Sequence, residues 1–381
     1  MALSQGAPTY LIDTFAGTGT QGFGGDGGPA RLALLNLTTN VTLDSEGNLY
    51  LVDWNARIRE VSVRTGIIET VAGNGQPGWG GDGGPAIDAM IGYGGGLGVD
   101  PAGNIYLADS ITCRVRFIDK RTGIITTIAG DGTCYHSGIG GPATAAGVGS
   151  PAGIAFDREG NLYFADSTDG VFRVDAKTGI VTEVAGGNVT GFSGDGGPAT
   201  AALLSQPSDV AIAANGDLFI VDRGSHRIRK VSAATGIITT VAGSSPCVSA
   251  SPPFGSIPAC QGGFSGDGGP ATSALLNDPQ NLALDGRGNL YISDTLNQRI
   301  RFVEARTGII NTIAGTGVEG FSGDLGPAVS AQLNDPSGIV VSKNCNVYFG
   351  DQNNNRVRVL YRLKSLDDLT AGGVDPGGPC K

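Results

Sequence analysis

The residues of this chain that could do chemistry are mostly aspartates, and many of them sit among glycines. The stretch GFSGDGGPAT, residues 191–200, has the composition of a loop that cradles a phosphate or a cation. Related loops place Asp26, Asp82, Asp195, Asp267 and Asp324 three residues after Phe23, Trp79, Phe192, Phe264 and Phe321. A phosphate loop would lead into a helix N-terminus, and a calcium loop would gather several acidic oxygens as in DxDxDG. Neither pattern is present. Recurrence marks an architectural connector, its aromatic plugging a gap and its aspartate capping backbone amides, with a weak cation site such as Ca2+ as the alternative.

A second acidic series, Asp53, Asp109, Asp166, Asp222, Asp294 and Asp351, ends six apolar runs. Arg57, Arg114, Arg173, Arg227, Arg299 and Arg356 open the runs that follow. Six carboxylates could form an ion-binding ring, but partly buried charges are normally paired, so each is expected to meet its arginine or a backbone amide. The third loop breaks the pattern: in TCYHSGIGGPAT, residues 133–144, His136 replaces the aromatic and Ile139 the aspartate. His136 reads either as a ring in the same socket or as a binding residue.

The elements that carry these residues repeat. TG turns at Gly66, Gly123, Gly179, Gly236 and Gly308 give a period of about 56 residues with one insertion. Each unit holds four short runs rich in Val, Ile, Thr and Tyr, reversed at Gly, Asn or Asp, the pattern of antiparallel hairpins. Six such units predict an all-β fold, a six-bladed β-propeller of four-stranded antiparallel blades over residues 10–362. The last unit lacks its fourth run, and YLIDTFAG, residues 10–17, supplies it, so the N-terminal strand should close the last blade. Residues 1–9 read as a leader and 363–381 as a tail tethered by a disulfide.

The segments GNLYLVDWNARIREV, GNIYLADSITCRVRFI, GDLFIVDRGSHRIRKV, GNLYISDTLNQRIRFV and CNVYFGDQNNNRVRVL resemble NHL repeats, a family of six-bladed propellers. The resemblance covers roughly residues 10–362 and speaks to fold. The family includes extracellular recognition modules, RNA- and protein-binding domains and a lyase group, so the site must decide function.

In a propeller the first strand of each unit lines the channel, and the aligned inner positions read Asn40, Gly96, Gly153, Asp209, Asn281 and Gly338. Asn40, Asp209 and Asn281 are similar in residue type to the calcium centre of propeller lactonases, but no fourth acidic ligand stands at that level. Ordinary hydrogen bonding at the strand start is the competing reading. Gly94, Gly95 and Gly96 should leave extra space at the channel mouth beside Tyr93. The turns at 54–56, 110–112, 167–170, 223–226, 295–298 and 352–355 share one face, the top, with the loops between blades; Arg223 belongs to this surface. The insertion at 244–263, bracketed by Cys247 and Cys260, projects from one face.

Topology is compatible with pairing Cys113 with Cys134, Cys247 with Cys260 and Cys345 with Cys380, and no CxxC spacing suggests a metal. Three disulfides imply an oxidising compartment, and sequons at Asn36 and Asn188 agree with secretion, whereas Asn40 reads as too deep for a glycan. The opening MALSQGAPTY has neither a basic nor an apolar signal region. No apolar run approaches the roughly 18–20 residues of a membrane helix. A net charge of -10 argues against nucleic acid and anionic membranes as partners. Only two histidines are present, too few for the three-His zinc centre of the amidating lyases in the family, and no nucleophile elbow appears. The expectation is a non-catalytic extracellular module, alone or as one part of a larger assembly, that binds a protein or glycan on its top face without a cofactor. The alternative is a lyase or hydrolase at the channel mouth, using Asp209.

Overall fold

The computed structural model describes residues 7–187, 189–247 and 260–363. Alternating apolar side chains and tight reversals produce six antiparallel sheets, with no α-helix among the described residues. In blade 4 the strands are Pro207–Ile212, Leu218–Asp222, Arg227–Val231 and Ile238–Ala242, running from the channel outward. The other blades repeat this order. Blade 6 takes its outermost full-length strand, Tyr10–Ala16, from the N-terminus, paired with Arg356–Arg362 from Tyr10 opposite Arg362 to Ala16 opposite Val357.

Each blade is apolar on both faces, so burial requires a neighbour, and the core is split into six clusters between adjacent blades. Tyr10 and Ile12 of the N-terminal strand pack with Tyr291 and Ile300 of blade 5, which makes the closing strand part of an interblade core.

The glycine-rich loops are connectors, as their recurrence implied, and their path adds a detail. Leaving one blade, the GP dipeptide of the loop lies along the outer strand of the next: Gly269–Pro270 pairs with Ile310 and Ile309, and Gly326–Pro327 with Ile12 and Leu11. Bridges from Pro85, Pro142 and Pro198 repeat the contact in blades 2 to 4. Proline has no N–H to offer outward, so it ends the sheet and protects an edge that could otherwise recruit another strand. A single 3-10 turn follows, as at Ala271–Ser273, with its first alanine buried, and the chain then reaches the inner strand.

Candidate functional site

The six aspartates that end the second strands are fully buried. Each accepts a backbone amide, from Asn36, Gly92, Ser150, Ser205, Asn277 or Asn334. Their cationic partner differs from expectation. It is the second arginine of each RxR pair: Arg59 to Asp53 at 3.3 Å, Arg229 to Asp222 at 3.2 Å, Arg301 to Asp294 at 3.0 Å and Arg358 to Asp351 at 3.1 Å. In blade 2, Arg116 attracts Asp109 without a direct hydrogen bond. Burial pushes the carboxyls of Asp53, Asp222 and Asp294 up to about 6 against the pull of these guanidinium groups.

The same arginines reach the loops. Asp26, Asp82, Asp195, Asp267 and Asp324 accept from Arg59, Arg116, Arg229, Arg301 and Arg358 at 2.6 to 2.8 Å. The loop aspartates are therefore ion-pair partners rather than caps of backbone amides, although Asp82 also accepts from Thr127 N. The aromatics plug no gap: Phe23, Phe192, Phe264 and Phe321 lie over Arg57, Arg227, Arg299 and Arg356 at 3.7 to 3.8 Å, and Trp79 over Arg114 at 4.3 Å. Those first arginines donate to backbone carbonyls, as Arg299 does to Asn297 and Thr316. The quoted loop thus docks through an ion pair between the buried Arg229 and the exposed Asp195, and through Phe192, whose ring lies over both Arg227 and Arg229.

Blade 3 replaces this lock. Asp166 pairs with Gly170 in the strand register, so Gly170 and Phe172 occupy the two arginine positions, and Arg173, the arginine expected there, instead reaches Asp175 at 2.9 Å. Glu183 lies opposite Phe172, where Thr240 lies opposite Arg229 in blade 4. His136 Nε2 hydrogen-bonds the buried Asp166 Oδ2, and the His136 ring meets Phe172 edge-on at 4.7 Å. The cation has moved from strand to loop and an acid from loop to strand. Asp166 raises the His136 pKa through this hydrogen bond, while burial raises Asp169 and Glu183. Sequence reading missed Asp169, Glu183 and Phe172; the signal was GVFRV standing where other units read RIRKV or RIRFV.

At the channel, Asp209 Oδ2 accepts from Leu282 N at 3.0 Å and Asn281 Nδ2 at 3.3 Å, and Oδ1 from Val210 N at 2.9 Å. Asn281 Oδ1 accepts from Gly338 N at 2.7 Å, and Asn40 Oδ1 from Leu97 N at 3.3 Å. Each side chain fastens its inner strand to the next. At the glycine positions the strands approach directly: a Cβ on Gly96 would lie 2.4 Å from Ala152 O, and one on Gly153 1.8 Å from Asp209 Oδ1. The glycines before Gly96 likewise leave no space, since a Cβ on Gly94 would meet Trp54 Nε1 at 2.7 Å and one on Gly95 would meet Ala108 O at 1.9 Å. The channel cavity, about 240 Å³, is lined mainly by Val, Ile and Leu.

Burial pushes Asp209 up to about 7, because its ionised form is poorly solvated inside the ring. No other acid or base is among its hydrogen-bond partners. Its contribution to stability is complete below the ordinary carboxylate range and drains as pH rises through about 7. The stability advantage of wild type over Asp209→Asn should therefore shrink on the order of 1.4 kcal/mol per pH unit across that window, read from urea denaturation at about pH 5 and about pH 8. A constant difference would remove the titration of Asp209.

Elsewhere on the top face, Tyr93 is 39% exposed with its ring 6.4 Å from that of Trp54. Arg223 is committed to Asp278 through two hydrogen bonds of 2.7 and 3.1 Å. Disulfides join Cys113 to Cys134 and Cys247 to Cys260. Cys345 is buried, and its expected partner Cys380 lies outside the described residues, as do Asn188, most of the insertion and all of the tail except Leu363. Asn36 is half-buried, with Nδ2 donating to Asn55 Oδ1 at 3.4 Å.

Six four-stranded blades, closed by the N-terminal strand and locked by recurring Asp–Arg pairs, define a six-bladed β-propeller. A family profile described as the teneurin NHL domain matches residues 189–264. Teneurin-1 of Gallus gallus is 28% identical over 310 residues, covering 71% of this chain and 11% of that protein. The chloroplastic protein SUPPRESSOR OF QUENCHING 1 of Arabidopsis thaliana is 27% identical over 283 residues, covering 72% of this chain and 26% of that protein. The chain thus corresponds to a minor part of these relatives. A solved structure of a protein of unknown function from Bacteroides thetaiotaomicron superposes with a TM-score of 0.65 at 18% identity, covering 92% of this chain and 75% of that one. In its repeats and in the segment that the family profile matches, the chain is similar to NHL-type propellers.

Proposed function

We propose that this propeller is a non-catalytic extracellular binding module that holds a protein or glycan partner against its top face. The observation that carries the reading is an apolar surface on rigid loops. Ile111, 55% exposed, and Tyr135, 71% exposed, stand on a turn and a crossover joined by the Cys113–Cys134 disulfide, and Tyr93 rises from the start of the same blade. Exposed aromatics on pre-ordered loops give contact area at low entropic cost. The channel supports catalysis less well, because both Asp209 oxygens are engaged, Oδ2 with Leu282 N of the next blade and Oδ1 with the neighbouring Val210 N.

The two disulfides support an oxidising compartment, hence secretion, with Asn36 as a glycan acceptor if exposed during synthesis. Similarity confined to a minor part of longer relatives supports membership of a larger assembly. The test is binding to a glycan array and to partners cross-linked in the native source, comparing wild type with Tyr93→Ala and Tyr135→Ala. A drop of about tenfold or more for either variant supports the top face. Unchanged binding by both removes it.

A further inference from the structure

The substituted lock of blade 3 has a charge arrangement unlike those of the other blades. In blade 4, Asp222 and Asp195 share Arg229, with Arg227 beside them. In blade 3, Asp166 and Asp169 place ligand atoms within 4.8 Å of one another and of His136, Glu183 lies near enough for its charge to act on the same imidazole, and the two arginine positions hold Gly170 and Phe172. Even a protonated His136 leaves three carboxylates facing one positive charge. Asp169 is 7% exposed and its Oδ1 has no hydrogen-bond partner; Glu183 Oε1 is likewise buried and unpartnered. Buried carboxylate oxygens without a partner are costly unless something binds them.

The geometry points to a divalent transition-metal site, of the type that takes Zn2+, built on His136 Nδ1 and Asp169 Oδ1, with the unpartnered Glu183 Oε1, which lies outside the 4.8 Å cluster of His136, Asp166 and Asp169, moving in as the third ligand when the ion binds. His136 Nδ1 lies 3.7 Å from Asp169 Oδ1, too far for a hydrogen bond yet close to the spacing of two ligands that each sit about 2.0–2.2 Å from one ion. A Cβ on Gly170 would lie 3.2 Å from both Glu183 Oε1 and Phe172 Cε2, so the glycine lets these two side chains pack against the backbone. Asp166 serves as a positioning residue. Its Oδ2 accepts from His136 Nε2, while Oδ1 is held by Ser150 N at 2.7 Å and Thr168 N and Oγ1 at 3.3 and 3.2 Å. A carboxylate that fixes the far ring nitrogen selects the tautomer with a lone pair on Nδ1, the arrangement by which metal-binding histidines are oriented.

The Cys113–Cys134 disulfide anchors the loop two residues before His136, and Phe172 walls off one side of the ring. An imidazole with carboxylates favours Zn2+ or a similar ion over Ca2+ or Mg2+, which prefer all-oxygen shells. A water would complete the tetrahedron. These ligands lie at 136, 169 and 183, on a crossover, a turn and an outer strand, so no short spacing motif announces them.

The test is titration of chelator-stripped protein with Zn2+ by calorimetry, with Co2+ absorption as a second readout of nitrogen and oxygen ligation. The expected result is one ion per chain, with affinity reduced about tenfold or more in Glu183→Gln and Asp169→Asn and lost in His136→Phe, which restores the ring of the other loops. If His136→Phe does not fold, the two carboxylate variants decide. Absence of stoichiometric Zn2+ uptake, or uptake unchanged by Glu183→Gln and Asp169→Asn, overturns the site.

Discussion

Replacing Arg301 by Met should cost about 3–5 kcal/mol of folding stability, more than loss of the side chain's packing explains, because the damage lies in what the arginine leaves behind. Its guanidinium donates to Asp294 at 3.0 Å and Asp267 at 2.8 Å, and to the carbonyls of Ser265 and Leu275. Asp294 is fully buried and would keep only Asn277 N and Asn297 Nδ2. A carboxylate stranded there must either remain charged in a poor solvent or take up a proton. The double variant Arg301→Met with Asp294→Asn should therefore be more stable than Arg301→Met alone by about 1–2 kcal/mol, a coupling that a double-mutant cycle in urea measures directly. A single-variant loss below about 1 kcal/mol would mean that the lock does not hold the blade.

Blade 3 is the internal control for this argument. It has no arginine at this position, and its crossover still docks, because His136, Ile139 and Glu183 changed along with Phe172. Removing one member of a buried polar network is damaging, whereas a concerted exchange can retain the fold.

The strands and the closure of the ring were legible because they depend on local signals: alternation, TG turns, and an unmatched run at each end of the repeat. The choice between paired arginines was not legible. Arg57 and Arg59 point to the same face of their strand, two residues apart, and Arg57 is the one directly opposite Asp53. Only the docked loop shows that Arg59 turns inward, toward Asp53 and Asp26, while Arg57 reaches Asn55 O and Asn74 O beneath Phe23. The glycines at 94–96 posed a similar ambiguity. A missing side chain leaves either a void or room for a neighbouring backbone, and sequence alone does not separate the two. At the channel, residue types suggested a cation centre, but Asn40, Asp209 and Asn281 each commit an oxygen to an amide across a blade boundary. Those bonds depend on ring geometry that no local pattern encodes.

Removing the residues before Gly17 should have the largest effect of any change considered, because the lost strand serves two structural units at once. Within blade 6 it pairs with Arg356–Arg362, accepts Leu325 N at Ile12 O at 2.7 Å, and holds the last crossover through Thr14 Oγ1 to Asp324 Oδ2 at 2.7 Å. Between blades, Tyr10 and Ile12 are buried against blade 5, and the Tyr10 hydroxyl lies 3.3 Å from that of Tyr291. Asp13 also binds Arg31, on the crossover leading into blade 1, at 2.8 Å. Burial of Tyr10, Ile12 and Ala16 alone is worth on the order of 5 kcal/mol, comparable to the whole stability of many domains. The truncated chain would also expose the edge of Arg356–Arg362, whose Val357, Val359 and Leu360 are fully buried, and an apolar unpaired edge recruits other chains. The expected outcome is loss of the cooperative thermal transition together with aggregation, seen by scanning calorimetry and light scattering. The milder Ile12→Ala should cost about 2–4 kcal/mol and leave the protein folded. Adding a peptide of sequence YLIDTFAG to the truncated chain should recover the transition in proportion to its concentration, because the missing strand then binds in trans. A truncated chain that melts like the full-length protein would show that the remaining blades hold the ring without its closing strand.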